Sequence, residues 1–219
     1  MKRALAAATV LVVCASVPAA VTAQKPQKPA KQPGNLSLSA APNPVKFGKS
    51  ATLSGKLTGP GKADKAVSLS EDPFPVDELT TVGTATVNDQ GDYSFVRNPT
   101  VNTRYRTGQG GLESEIVTVN VSPRLSLRVG DRTPPAGKRV RFSGRICPQH
   151  DGVSLAIQRR TAPKQWRTVA SVVTADAGVE CSGYSRRVRV RRDNVYRTLF
   201  SADADHAAGS SRRRRIDVH

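Results

Sequence analysis

The sequence predicts an all-β protein made of two antiparallel β-sandwiches in tandem, and three observations carry that prediction. First, the chain repeats itself. Leu36-Ser37-Leu38, Gly48-Lys49 and Ser54-Gly55-Lys56-Leu57 recur 89 positions later as Leu125-Ser126-Leu127, Gly137-Lys138 and Ser143-Gly144-Arg145-Ile146, and a duplicated unit implies two similar domains in series. Second, the apolar residues alternate with polar ones at period two, which sets one face of a strand on a core and the other in water. Third, turn clusters punctuate the chain about every 8–12 residues and no stretch holds a helical period, the pattern of a sandwich of short strands.

Taken in order, residues 1–23 read as a secretory signal peptide. Lys2 and Arg3 form its charged start, Ala4 to Val17 its apolar run, and Val21-Thr22-Ala23 a small-residue cleavage site. Pro18 interrupts the apolar run, which is too short for a membrane span. A lipoprotein reading needs a small residue before Cys14, where Val13 stands. Residues 24–35 (QKPQKPAKQPGN) are almost free of apolar side chains and read as a flexible spacer.

The first sandwich is expected over 36–121. Its strands show in Ala51, Leu53, Gly55 and Leu57, and in Val117, Val119 and Val121. Its turns show in Asn43-Pro44, Gly59-Pro60-Gly61 and Asn88-Asp89-Gln90-Gly91. The second is expected over 125–219, where Val140 and Phe142, Val153, Leu155 and Ile157, and Val188 and Val190 alternate in the same way. With small gaps the repeat also aligns Leu79 with Trp166 and Tyr105-Arg106 with Tyr196-Arg197. Trp166 is therefore expected in the core. Tyr105 and Tyr196 are expected as the buried, hydroxyl-bonded tyrosines that such sandwiches carry near their C-terminal strands. With Cys14 removed in the leader, Cys147 and Cys181 remain and are expected to pair in the second unit, since an exported chain meets oxidising conditions.

Here the chain resembles the tandem immunoglobulin-like repeats of secreted and cell-wall proteins from high-GC Gram-positive bacteria. In the first unit the resemblance rests on Phe47 to Gly55, Asn88 to Phe95 and Asn102 to Arg106. In the second it rests on Gly137 to Gly144, Gln158-Arg159, Trp166 to Val169, Tyr196-Arg197 and Asp205 to Gly209. The family implies spacer, adhesion or accessory roles. Family members often carry an attached catalytic domain, which is not expected here, and the first unit, without Trp or Cys, matches less closely.

Charge divides the two units. Residues 36–121 hold 8 Lys and Arg against 9 Asp and Glu, whereas residues 122–219 hold 21 against 8 within a formal net charge of +17. Arg187, Arg189 and Arg191 are expected on the outer side of one strand and Arg139 and Arg141 on that of another, with Arg212, Arg213, Arg214 and Arg215 leading into the last. If these strands share a sheet, they form a cationic plate for a polyanion, because the guanidinium fork matches phosphate and carboxylate. The plain alternative is a solvated face that discourages edge pairing. The acidic stretch Glu71 to Glu78 faces its basic counterpart Arg159 to Gln165 in the alignment, which suggests mutual attraction of modules.

No nucleophile elbow, zinc-protease pair, phosphate loop or dinucleotide fingerprint occurs, so an enzyme is not expected and no cofactor is implied. No metal site is expected either. His150 and His206 read as loop residues, and Asp203-Ala204-Asp205-His206 as a solvated connection between strands. Asn88, Asp89 and Asp92 read as hairpin chemistry rather than a calcium loop. The expected function is a non-catalytic, secreted cell-envelope binding or spacer protein, its basic second unit contacting an anionic surface polymer rather than nucleic acid. The alternative is homotypic adhesion between acidic first and basic second units, and another surface protein is a second candidate partner.

Overall fold

The computed structural model describes residues 34–219, which form one compact unit. The signal-peptide reading over 1–23 and nearly all of the spacer lie outside the described residues. Among those described, the protein is all-β. The first repeat contributes β1 (Ser39–Ala41), β2 (Val45–Lys46), β3 (Ala51–Lys56), β4 (Ala66–Pro73), β5 (Thr80–Thr86), β6 (Asp92–Arg97), β7 (Thr103–Gln109), β8 (Leu112–Glu113), β9 (Val117–Val119) and β10 (Val121–Ser122). The second contributes β11 (Arg124–Leu125), β12 (Arg128–Val129), β13 (Arg139–Cys147), β14 (Ser154–Ala162), β15 (Gln165–Val173), β16 (Ala175–Asp176), β17 (Ser182–Arg189), β18 (Asn194–Phe200), β19 (Gly209–Ser210) and β20 (Arg214–Ile216).

No sheet mixes strands of the two repeats. In the first, β1-β3-β6 form one antiparallel sheet and β5-β4-β7-β8 another, with β9 on β7, while β2 and β10 pair in parallel. In the second, β11-β13-β17-β16 form one sheet with β12 on β13, and β15-β14-β18-β19 the other with β20 on β18. Each repeat buries the apolar side of its two larger sheets. Phe142, Ile146 and Val188 from one sheet of the second repeat meet Leu155, Ile157, Phe200 and Ile216 from the other in a single cluster. Such a side chain, removed from water, contributes about 1.5–3 kcal/mol. The expected period-two strands match this burial throughout.

The two repeats also share one internal hydrogen-bond device. Tyr93 on β6 donates its hydroxyl to the Ser37 carbonyl and lies 2.9 Å from Thr107 Oγ1 on β7. Tyr184 on β17 donates to the Ser126 carbonyl and lies 2.8 Å from Thr198 Oγ1 on β18. Each phenol thus ties one sheet to the other. A β-carbon on Gly55 would fall 1.9 Å from the Ser37 carbonyl oxygen, and one on Gly144 2.1 Å from that of Ser126. Only glycine admits this crossing. The tyrosine expectation is corrected accordingly. Tyr105 and Tyr196 are buried, but the tyrosines that anchor the layers are Tyr93 and Tyr184, one strand earlier.

Trp166 also departs from expectation. The register of β14 and β15 shifts between Ile157 and Gln158, so that Ala170 and Val172 face the core while Thr168 and Trp166 face outward. A single-residue bulge reverses every side chain beyond it. The equivalent shift occurs in the first repeat between Leu69 and Ser70. Cys147 and Cys181 form the expected disulfide, which closes β13 to β17. On the chain-entropy account a loop of this length contributes about 3–4 kcal/mol.

The loop from Ser201 to Ala208 meets the first repeat. The Asn102 amide donates to the Asp205 carbonyl at 2.8 Å and its side chain to the Ala204 carbonyl at 3.2 Å. The Ala207 amide donates to the Val121 carbonyl at 2.8 Å, and His206 Nε2 lies 2.9 Å from the Thr100 carbonyl. This loop was expected to be solvated; instead His206 is only 2% exposed, because it fills the junction between repeats.

Candidate cationic face

Arginine after arginine falls on the outward side of one sheet, because β13 and β17 each alternate a core residue with a cation. Val140, Phe142 and Val188 point inward, so Arg139, Arg141, Arg187 and Arg189 point out and are exposed. The antiparallel register sets Arg139 opposite Arg189 and Arg141 opposite Arg187. The condition for a plate, that these strands share a sheet, is met. Directly opposed like charges on one face destabilise a sheet by a few tenths of a kcal/mol up to about 1 kcal/mol per pair. Among the described residues, none of these four side chains is ion-paired. Arg141 Nε donates to Ser185 Oγ at 2.8 Å, which fixes the direction of one guanidinium.

Three further arginines extend the face. Arg145 continues the outward alternation of β13, and the register puts Arg128 opposite Ser143 and Arg124 opposite Cys147, on the same side. Sequence reasoning missed them, although Arg124, Ser126 and Arg128 alternate with buried Leu125 and Leu127 at the same period. Arg191 lies two residues beyond the end of β17 and is exposed.

Arg212 to Arg215 do not join this plate. They run into β20, which pairs with β18 in the opposite sheet. Arg214 Nε donates to the Leu127 carbonyl at 3.0 Å, and Arg215 pairs with Asp217 at 2.6 Å. Arg213 lies 5.6 Å from the centroid of the Trp166 ring, and Arg197 lies over the same ring at 4.2 Å. Burial, and then the charge of Arg213, hold the Arg197 guanidinium below its ordinary value. This outer face of the second sheet therefore carries a half-exposed indole with stacked cations, an aromatic–cation patch that the core assignment of Trp166 had concealed.

The acidic stretch of the first repeat is largely neutralised within that repeat. Arg97 grips Glu71 at 2.6 Å, and Arg104 grips both Asp72 and Asp77. A groove of about 570 Å³ beside them is lined by Phe74, Pro75, Asn102, Arg104 and Ala204 among others. At the Asn88 turn, the Asn88 side chain accepts the Asp92 amide at 2.8 Å, the hairpin chemistry expected there. No helix among the described residues is long and apolar enough to cross a membrane. Compared with known proteins, the chain matches no family model and no curated protein.

Proposed function

We propose that this is a secreted, non-catalytic protein of two tandem immunoglobulin-like sandwiches that binds an anionic cell-envelope polymer through the outer face of β13 and β17. The observation that carries the reading is the square of Arg139, Arg141, Arg187 and Arg189, in which like charges face each other in register without a carboxylate between them. A face evolved only for solubility can alternate sign and gain cross-strand pairs. This one concentrates a single sign, and a polyanion both screens the repulsion and releases counterions on binding. Open to solvent and spaced by the strand register, the surface suits a polymer chain better than a small molecule, which favours a concave site. Export and the envelope as location rest on the leader and the family resemblance.

The homotypic alternative draws less support, because Arg97 and Arg104 already engage three of the four carboxylates between Glu71 and Glu78. The test is retention of the chain on immobilised polyphosphate and on purified anionic cell-wall polymer across a salt series. Retention that falls steeply with salt supports the proposal. A chain that flows through both columns at low salt contradicts it.

A further inference from the structure

At the junction of the repeats, two buried imidazoles and two carboxylates converge. His150 comes from the loop between β13 and β14, and Asp203, Asp205 and His206 come from the loop between β18 and β19. Both histidines are more than nine-tenths buried, and their rings meet edge to face with centroids 4.7 Å apart.

Each ring spends one nitrogen on a backbone carbonyl. His150 Nδ1 lies 2.8 Å from the Pro148 carbonyl, and His206 Nε2 lies 2.9 Å from that of Thr100. A carbonyl only accepts, so those nitrogens carry the protons. In the neutral rings His150 Nε2 and His206 Nδ1 are then bare lone pairs. Both are buried and neither has a hydrogen-bond partner. Both are aimed at carboxylates: His206 Nδ1 lies 3.3 Å from Asp205 Oδ2 and His150 Nε2 3.8 Å from Asp203 Oδ2. A lone pair facing a carboxylate without a cation between them is repulsive, and a buried acceptor left unmatched forfeits its hydration without return.

We propose that His150, Asp203, Asp205 and His206 bind one zinc ion. The four ligand atoms lie within 4.8 Å of one another. A tetrahedral site with bonds of about 2.0–2.1 Å spaces its ligands by about 3.4 Å, close to the spacing already present. Two neutral imidazoles and two carboxylates carry a charge of −2, which a divalent ion cancels. Imidazole nitrogen favours zinc over calcium and magnesium, which take oxygen ligands. The outer contacts are also those of a metal site, because ligating histidines donate their other ring proton to a carbonyl or carboxylate that fixes the ring.

The position gives the ion a structural consequence. His206 bonds to Thr100 of the first repeat, and the same loop binds Asn102 and Val121 there through its backbone. His150 follows the disulfide at Cys147, and its amide donates to Ser182 Oγ at 2.7 Å, at the start of β17. Zinc held here clamps the loop that joins the repeats to the strand pair that carries the cationic face.

The test is calorimetric titration of the chelator-treated chain with zinc, and separately with calcium and magnesium, alongside thermal melting with and without each ion. The variants are His150→Gln, His206→Gln and Asp205→Asn. The last alters a partly exposed carboxylate, so it keeps the test valid if a histidine variant fails to fold. The expected result is one zinc per chain, a higher melting temperature with zinc only, and at least tenfold weaker binding in each folded variant. A folded parent chain that shows neither heat nor a melting shift with excess zinc overturns the proposal and leaves the cluster as plain histidine–aspartate pairs. Zinc affinity unchanged in Asp205→Asn or in any folded histidine variant, or an equal response to calcium, overturns it too. His219 is the only other histidine, so little competing zinc binding is expected elsewhere.

Discussion

Tyr184 shows how much one side chain controls. Burial, opposed by its hydrogen bond to Thr198, pushes the phenol up to about 12. The neutral form is the one the fold prefers, so its contribution is complete below pH about 10 and disappears as the pH rises toward 12. Two pH units correspond to about 3 kcal/mol. Urea unfolding followed from pH 8 to pH 12 is expected to show the midpoint falling across that window. Tyr184→Phe should lower stability at pH 8 by about 1 kcal/mol per lost bond and flatten the alkaline decline. Gly144→Ala and Gly55→Ala are expected to be worse, because the new methyl meets the backbone carbonyl of the segment lying alongside, Ser126 or Ser37. We expect a loss of about 1–3 kcal/mol or more for each, read from the same unfolding curves. A loss of only a few tenths would contradict the close crossing.

At the scale of elements, the sequence exposed alternation clearly and strand pairing poorly. Arg139, Arg141, Arg187 and Arg189 were legible as outward residues because valine and phenylalanine mark the buried side between them. That β13 and β17 are neighbours was not legible, since pairing is a long-range property that period two does not encode. Trp166 was misplaced for a related reason: one extra residue in β15 reverses its facing, and nothing in a local pattern announces a bulge. His150 and His206 were misread because polar residues in a loop usually meet water, whereas these loops meet each other and the first repeat. The disulfide was legible from the cysteine count together with the expectation of export. Its reduction should lower the unfolding free energy by about 3–4 kcal/mol, measured by denaturant titration with and without reductant.

For the whole molecule, the central feature is how positive charge is distributed over two separate surfaces. The first repeat pairs five of its nine acids with its own cations, while the second displays cations on both sheets. Arg139, Arg141, Arg187 and Arg189 stand unpaired on one sheet. Arg212 to Arg215 are partly engaged on the other, with Leu127, Asp217 and Trp166. Equal charge changes on the two surfaces alter net charge identically but touch only one proposed contact. The decisive measurement is therefore binding to purified anionic cell-wall polymer, as a function of salt, by the parent chain and two fourfold variants. One carries Arg→Glu at 139, 141, 187 and 189, the other Arg→Glu at 212, 213, 214 and 215. The plate predicts that only the first variant loses binding, and with it about 3 units of the slope of log affinity against log salt. Equal losses in both would show that net charge alone governs retention and would contradict a specific cationic face.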